Sequence, residues 1–185
     1  MTEIKLFQAS DYGVSQLRPR VVIVALRASI TEHFSWPHPY STQPIPVGDL
    51  LHDLMASNGW EHATHWSQEA RGIAPTIVGG SKKHGGPDLG PTRAKRAWAQ
   101  LGVDGHGIAD LAPLPGFIGP PKLTTRMVAR VQGFPDTWKF FGKKTAVYRQ
   151  IGNAFPPPVA EAVATQIRIA LTLSTQSFKS VEVPV

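Results

Sequence analysis

Between Arg71 and Gln100, six cationic side chains (Arg71, Lys82, Lys83, Arg93, Lys95 and Arg96) face one carboxylate, Asp88, which gives a local net charge of +5. The whole chain carries +6, from 19 Lys plus Arg against 13 Asp plus Glu, so most of the excess sits in this stretch. Cations this dense suit a polyanion, whose phosphates they neutralise with release of counterions. On charge alone, a solvated basic face without a partner remains the alternative. Arg126 and Arg130 lie four residues apart and share one helix face, where they either touch phosphate or pair internally.

The chain has no cysteine. That excludes disulfides, thiolate zinc sites and thiol nucleophiles together. His62 and His65 have no cysteine or clustered carboxylates to join them, so no metal site is read there.

The elements that must carry these groups are few. A length of 185 residues suits one ordinary domain or part of a larger one, and 42% apolar residues suit a globular chain. The longest apolar run, Val21 to Leu26, is too short to cross a bilayer, and no secretory signal follows Met1. A soluble, cytoplasmic protein with no membrane partner is expected.

Residues 4–9 and 21–26 read as strands, the second apolar on both faces as if buried in a sheet. Two strands alone do not make a stable sheet, so the rest of it should come from elsewhere. A helix over 47–57 ends at Asn58-Gly59, and Thr92 caps a helix running to Leu101 before Gly102. Thr124 or Thr125 caps a short helix to Gln132. Pro156-Pro157-Pro158 starts a final helix with a stripe of Val159, Val163, Ile167 and Leu171, and the chain after Ser174 should be loose. Gly- and Pro-rich loops over 72–90 and 102–122 argue against a self-contained core between residues 60 and 122.

Three segments, covering about a third of the chain, resemble the DNA cytosine-5 methyltransferase family. Gly13-Val-Ser-Gln16-Leu-Arg18-Pro-Arg20, followed by the apolar strand, is similar to the family's G-[IV]-P-Q-x-R-x-R motif, with Ser15 in place of the usual Pro. Arg126-Met-Val-Ala-Arg130-Val-Gln132-Gly133-Phe134-Pro135-Asp136 is similar to R-x-x-x-R-x-Q-G-F-P-D. Gln150-Ile-Gly152-Asn153-Ala-Phe155-Pro-Pro-Pro-Val159 is similar to the last block, Q-x-G-N-[AS]-[VF]-P-P-x-[VL]. The family's Gly-rich turn for S-adenosyl-L-methionine, its Pro-Cys dipeptide and its Glu-Asn-Val block precede the first of these motifs and are absent here. The chain therefore reads as a C-terminal part, inactive alone.

In that family a thiolate adds to cytosine C6, a carboxylic acid holds N3, and C5 then takes the methyl group of S-adenosyl-L-methionine. The target base first leaves the stack. The resemblance implies that Arg20 contacts the base carbonyl O2, with Arg18 bracing the site or a phosphate. It places Gly152, Asn153 and Phe155 at the S-adenosyl-L-methionine pocket, completed only by an N-terminal half. Gln16 holds the loop and counts among the DNA-side residues.

Residues 28–121 occupy the position of the target-recognition region, and Thr76-Ile77 resembles its Thr-plus-aliphatic dipeptide. Thr76, Lys82, Lys83, Arg93, Lys95, Arg96 and Arg126 are candidate contacts to double-stranded DNA. Phe134 and Trp138 are expected in a core.

The implied fold is α/β, a partial Rossmann-like sheet of the S-adenosyl-L-methionine-dependent methyltransferases with a loop-rich target-recognition domain. Residues 1–27 form the last catalytic strands and 28–121 the recognition region. Residues 122–175 return to the catalytic domain, and 176–185 form a tail. Three roles follow: the recognition half of a split DNA methyltransferase with an N-terminal partner, a stand-alone DNA-binding module, or a non-functional remnant.

Overall fold

The computed structural model describes residues 2–79 and 87–181. Two strands, β1 (Thr2–Gln8) and β2 (Pro19–Ala25), pair antiparallel, with Ile4 opposite Ile23 and Leu6 opposite Val21. A single 3-10 turn, Ala9–Tyr12, follows β1 and closes at Gly13, whose φ of 77° needs a residue without Cβ. The sheet stops at two strands among the described residues.

Only one face of that sheet is covered. A short helix, α1 (Ala28–Thr31), follows β2, and the long C-terminal helix is α7 (Pro157–Val181). Val159, Ala162 and Val163 of α7 pack on Phe7, Ala9, Tyr12, Val14 and Val24. Trp36 closes this cluster, with its ring 5.4 Å from that of Phe7, and the Tyr12 hydroxyl donates to the Pro37 carbonyl at 3.0 Å. The opposite face carries Ile4, Leu6, Val21 and Ile23, each 62–65% exposed. β2, read as apolar on both faces, is thus covered on one face by the described residues. Its residues alternate, because nothing within the described residues packs on the second face.

One further expectation changes at the C-terminus: α7 continues to Val181 rather than loosening after Ser174, while Leu171, the last member of the apolar stripe, is 45% exposed. Side-chain to main-chain hydrogen bonds from Thr172 and Thr175 to carbonyls four residues back accompany that extension.

The larger cluster is built from α2 (Val47–Ala56), α3 (Ala63–Glu69), α4 (Thr92–Ala99), α5 (Thr125–Val131) and α6 (Lys144–Asn153). Leu51, Met55, Trp66, Trp98, Met127, Val131, Tyr148 and Ile151 fill it. Residues 60–122 contribute Trp60, Trp66, Ile77, Leu89, Trp98, Val103 and Ile108 to this cluster, so the stretch is buried without a self-contained core of its own, in line with the expectation. It achieves this against α2, α5 and α6, which lie outside it. Its tryptophans shield more apolar area than their spacing suggests.

α2 and α3 touch backbone to backbone: a Cβ on Gly48 would lie 2.1 Å from the Ser67 carbonyl oxygen. Pro91 rather than Thr92 precedes α4, with no side-chain cap, whereas Thr124 caps α5 by accepting from the Met127 N–H at 3.3 Å. α3 and α6 were not expected. Each is short and takes its stability from the core rather than from its own periodicity.

Candidate functional site

The loop after Gly13 runs beside residues 74–77. The Leu17 N–H donates to the Ala74 carbonyl at 2.8 Å, and the Ala74 N–H donates to the Ser15 carbonyl at 2.9 Å. The Thr76 hydroxyl donates to the Leu17 carbonyl, which spends its hydrogen on the protein.

Gln16 sits inside this junction, fully buried. Its Oε1 accepts from the Ile77 N–H at 2.7 Å, and its Nε2 donates to Gln132 Oε1 at 2.6 Å. Gln132, also fully buried, donates from its own Nε2 to the Ala154 carbonyl at 2.8 Å. Gln16 does hold the loop, but its amide is enclosed, which corrects its placement among the DNA contacts.

Arg18 is 1% exposed and donates to the carbonyls of Ile77, of Gly152 at 2.7 Å and of Ala154 at 3.1 Å, and to Gln16 Oε1 at 3.4 Å. Among the described residues its Nε finds no partner, and no carboxylate pairs with it. Burial pulls its pKa down to about 10, helped by the like charge of Arg20, so it stays cationic at neutral pH. A guanidinium spread over three chain segments braces them. It is not available to a phosphate.

Arg20 heads β2 opposite Phe7 and is half-buried. Its Nη1 donates to the Pro19 carbonyl at 2.7 Å, and desolvation lowers its pKa. Its guanidinium forms no other hydrogen bond among the described residues, so Arg20 is the member of the pair with donors to offer.

Gly152 lies near the end of α6, against Val78 and Gly79. A Cβ there would lie 2.6 Å from the Gly79 Cα and 2.8 Å from the Val78 carbonyl oxygen. The close approach expected of Gly152 is therefore made to this chain's own backbone. Asn153 is exposed, and Phe155 is half-buried on the sheet-side cluster. The carboxamide of Asn153 lies where a side chain at Gly79 would be, 2.0 Å from the position of that Cβ.

The basic residues divide. Arg93 and Arg96 lie on α4, with no ion pair among the described residues. Lys95 instead pairs with Asp88 at 2.7 Å, and Asp88 also receives the Tyr148 hydroxyl on its carbonyl. Burial and the Asp88 charge hold the Tyr148 phenol above its ordinary range. Lys82 and Lys83 lie outside the described residues.

Arg126 donates to the Trp138 carbonyl at 2.9 Å and stacks over Phe140 at 5.9 Å, so it orders the 138–140 segment. Arg130 is shared by Asp136 and Asp53, whose hydrogen bonds raise its pKa further, and its own hydrogen bond holds the Asp53 carboxyl below the usual carboxylate range. Phe134 is buried as expected, but Trp138 is 53% exposed. Gln132 and Gly79 were missed as site members. Gln132 stood within a motif read as structural, and Gly79 within a glycine pair whose neighbour in space no spacing reveals.

The family model for C-5 cytosine-specific DNA methylases matches residues 1–109 and 115–168. The Type II methyltransferase M.NaeI of Lentzea aerocolonigenes is 60% identical over 176 residues, which are 94% of this chain and 42% of that protein. The Type II methyltransferase M.NgoMIV of Neisseria gonorrhoeae is 55% identical over 170 residues, 90% of this chain and 54% of that protein. The chain thus spans about half the length of these curated relatives. A crystal structure described as a prophage-encoded DNA modification methyltransferase from E. coli superposes with a TM-score of 0.52 at 21% identity, over 92% of this chain and 60% of that one. That likeness concerns the fold.

Proposed function

We propose that this chain, which belongs to the C-5 cytosine-specific DNA methylase family, is the DNA-recognition and site-completing part of a cytosine-5 methyltransferase and works with an N-terminal partner. Type II methyltransferases are among its similar relatives, so a restriction-modification role is included in the reading. Double-stranded DNA is the substrate, and the N-terminal part supplies the thiolate that a chain without cysteine does not have.

One observation carries the proposal: the bare sheet face of Ile4, Leu6, Val21 and Ile23. A two-stranded sheet is marginal alone, and each such side chain gains roughly 1.5–3 kcal/mol on full burial. A larger Rossmann-like sheet and its covering helices would bury that face, and the open edges of β1 and β2 offer the hydrogen bonds to extend it. In this reading residues 1–27 are the last catalytic strands, 28–121 the recognition region, and 122–175 the return to the catalytic domain.

S-adenosyl-L-methionine, the methyl donor, fits the residues present. The Asn153 carboxamide is exposed and makes no hydrogen bond among the described residues, and the half-buried Phe155 ring lies two residues on. These two would form one wall of its pocket. Arg20 would hold the carbonyl oxygen of the flipped base, and Arg18 would keep the strand that carries Arg20 in place. Thr76, Arg93 and Arg96, with Lys82, Lys83 and Lys95, would make the DNA-facing side.

The test is transfer of labelled methyl from S-adenosyl-L-methionine to duplex DNA. This chain is assayed alone and with a polypeptide comprising the part of the 60% identical relative that it does not span. Activity confined to the mixture is expected. Activity of the chain alone, or silence of a mixture whose added part is folded, overturns the proposal.

A further inference from the structure

A main-chain contact joins two regions that sequence alone keeps apart, residues 76–79 and the end of α6. Gly79 leads out of the segment that holds Thr76 and Ile77, and Gly152-Asn153 ends α6. The Gly152 carbonyl and the Ile77 carbonyl are held by the same guanidinium, Arg18, and a Cβ on Gly152 would meet Gly79 main-chain atoms at 2.6–2.8 Å. Main chain rests on main chain here, so neither segment shifts without the other.

On that platform the Asn153 side chain turns toward Gly79. A Cβ built at residue 79 would lie 2.0 Å from Asn153 Oδ1, 2.4 Å from its Cγ and 2.7 Å from its Nδ2. All three are far below any contact that real Cβ atoms make, so the carboxamide fills the space that the missing side chain leaves. No positive φ is recorded at Gly79, so turn geometry is not the reason for glycine at this position. The three atoms nearest to that Cβ are the carboxamide atoms of Asn153, the movable end of an exposed side chain with no hydrogen-bond partner among the described residues, so a methyl group there would displace the carboxamide.

We propose that Gly79 is a positioning residue for Asn153: it provides the seat that holds the carboxamide in its donor-binding orientation. The 76–79 segment, within the proposed recognition region, thereby sets the geometry of the methyl-donor pocket. This rests on the reading of Asn153 as a pocket residue given under Proposed function. The coupling runs both ways, since any shift of the 76–79 segment moves the seat and any ligand that fixes Asn153 fixes the segment.

The experiment measures binding of S-adenosyl-L-homocysteine, without DNA, to the complex of this chain with its complementing part. Wild type, Gly79→Ala, Asn153→Ala and the double variant are compared, with melting temperature recorded for each. Gly79→Ala should weaken binding about tenfold or more. Asn153→Ala should weaken it comparably, and the double variant should bind no worse than Asn153→Ala alone, because the methyl group added at residue 79 acts only by displacing that carboxamide.

If Gly79→Ala instead lowers the melting temperature, the Asn153→Ala background should restore it, which keeps the steric claim testable by stability alone. Unchanged binding by Gly79→Ala with intact folding overturns the inference and leaves the functional reading standing. Additive losses in the double variant, or a melting temperature that Asn153→Ala does not restore, also overturn it. A wild-type complex that assembles but binds no S-adenosyl-L-homocysteine removes the functional reading first, and the inference with it.

Discussion

Gln16 and Gln132, 116 positions apart in sequence, share a buried hydrogen bond of 2.6 Å from Nε2 to Oε1. Each amide spends its other end on main chain, Gln16 on the Ile77 N–H and Gln132 on the Ala154 carbonyl. The pair therefore links the loop before β2, the 74–77 segment, α5 and the residues between α6 and α7. A satisfied network in a dry interior fixes geometry as well as adding stability.

Replacing Gln132 with Leu keeps the volume and removes both bonds. The Gln16 Nε2 is then left without a partner, at about 1–3 kcal/mol, while the Ala154 carbonyl loses one bond and keeps the one from Arg18 at 3.1 Å. Urea denaturation of the chain should show a loss of about 2 kcal/mol or more. A loss under about 0.5 kcal/mol would mean that water takes over the bonds and that the network does not hold the junction.

Among the described residues Arg20 donates only to its neighbour's carbonyl, at 2.7 Å, while Arg18 ties the segments at Ile77 and at Gly152 and Ala154 to its own. Arg20→Ala should leave the melting curve of the chain nearly unchanged yet lower methyl transfer by the complemented enzyme on the order of 10²-fold. Arg18→Ala should do the reverse in order of cause, unfolding the junction first. Near-normal turnover by Arg20→Ala would remove the base-contact role.

Arg93 and Arg96 are the cations of α4 without an ion pair among the described residues, whereas Lys95 between them is paired with Asp88 at 2.7 Å. Changing both arginines to Ala should weaken duplex binding about equally for all sequences. It should also lower the slope of log affinity against log salt by roughly 1.8, about 0.9 for each phosphate no longer neutralised. Lys95→Ala should change the slope little. Equal effects from all three would show that the Lys95–Asp88 pair opens on DNA.

Asp53 responds to acid. The hydrogen bond from Arg130 holds its carboxyl below the ordinary carboxylate value, so the folded state binds this proton more weakly than the unfolded chain does. Its stabilising contribution is complete above the unfolded pKa, near ~4, and is lost as pH falls through the lower folded value. Because the Asp53 side chain is 65% exposed, the contribution stays under about 1 kcal/mol. Asp53→Asn should lower stability by up to about 1 kcal/mol above pH ~6, with no change of slope there, and flatten the acid limb of the stability-versus-pH curve. An unchanged acid limb would assign that limb to other carboxylates.

What the sequence determined by itself is local or compositional. Zero cysteines exclude a thiol nucleophile in any conformation, and the three motifs place Gln16, Arg18, Arg20, Gln132 and Asn153 in order along the chain. Pro157 and Pro158 begin α7 because proline lacks the N–H that a first helical turn leaves unused.

Tertiary structure alone decided which of two neighbouring arginines is buried. Alternation along the chain gives Arg18 and Arg20 like positions, and only the carbonyls of Ile77, Gly152 and Ala154, brought from 59 to 136 positions away, make a site for one guanidinium. Burial of residues 60–122 was hidden for the same reason, since the helices that cover them lie elsewhere in the chain. The bare face of β2 was hidden too, because an apolar run looks alike whether a partner covers it or not. Burial and hydrogen bonding depend on what approaches through space, and one-dimensional spacing records only what a segment offers.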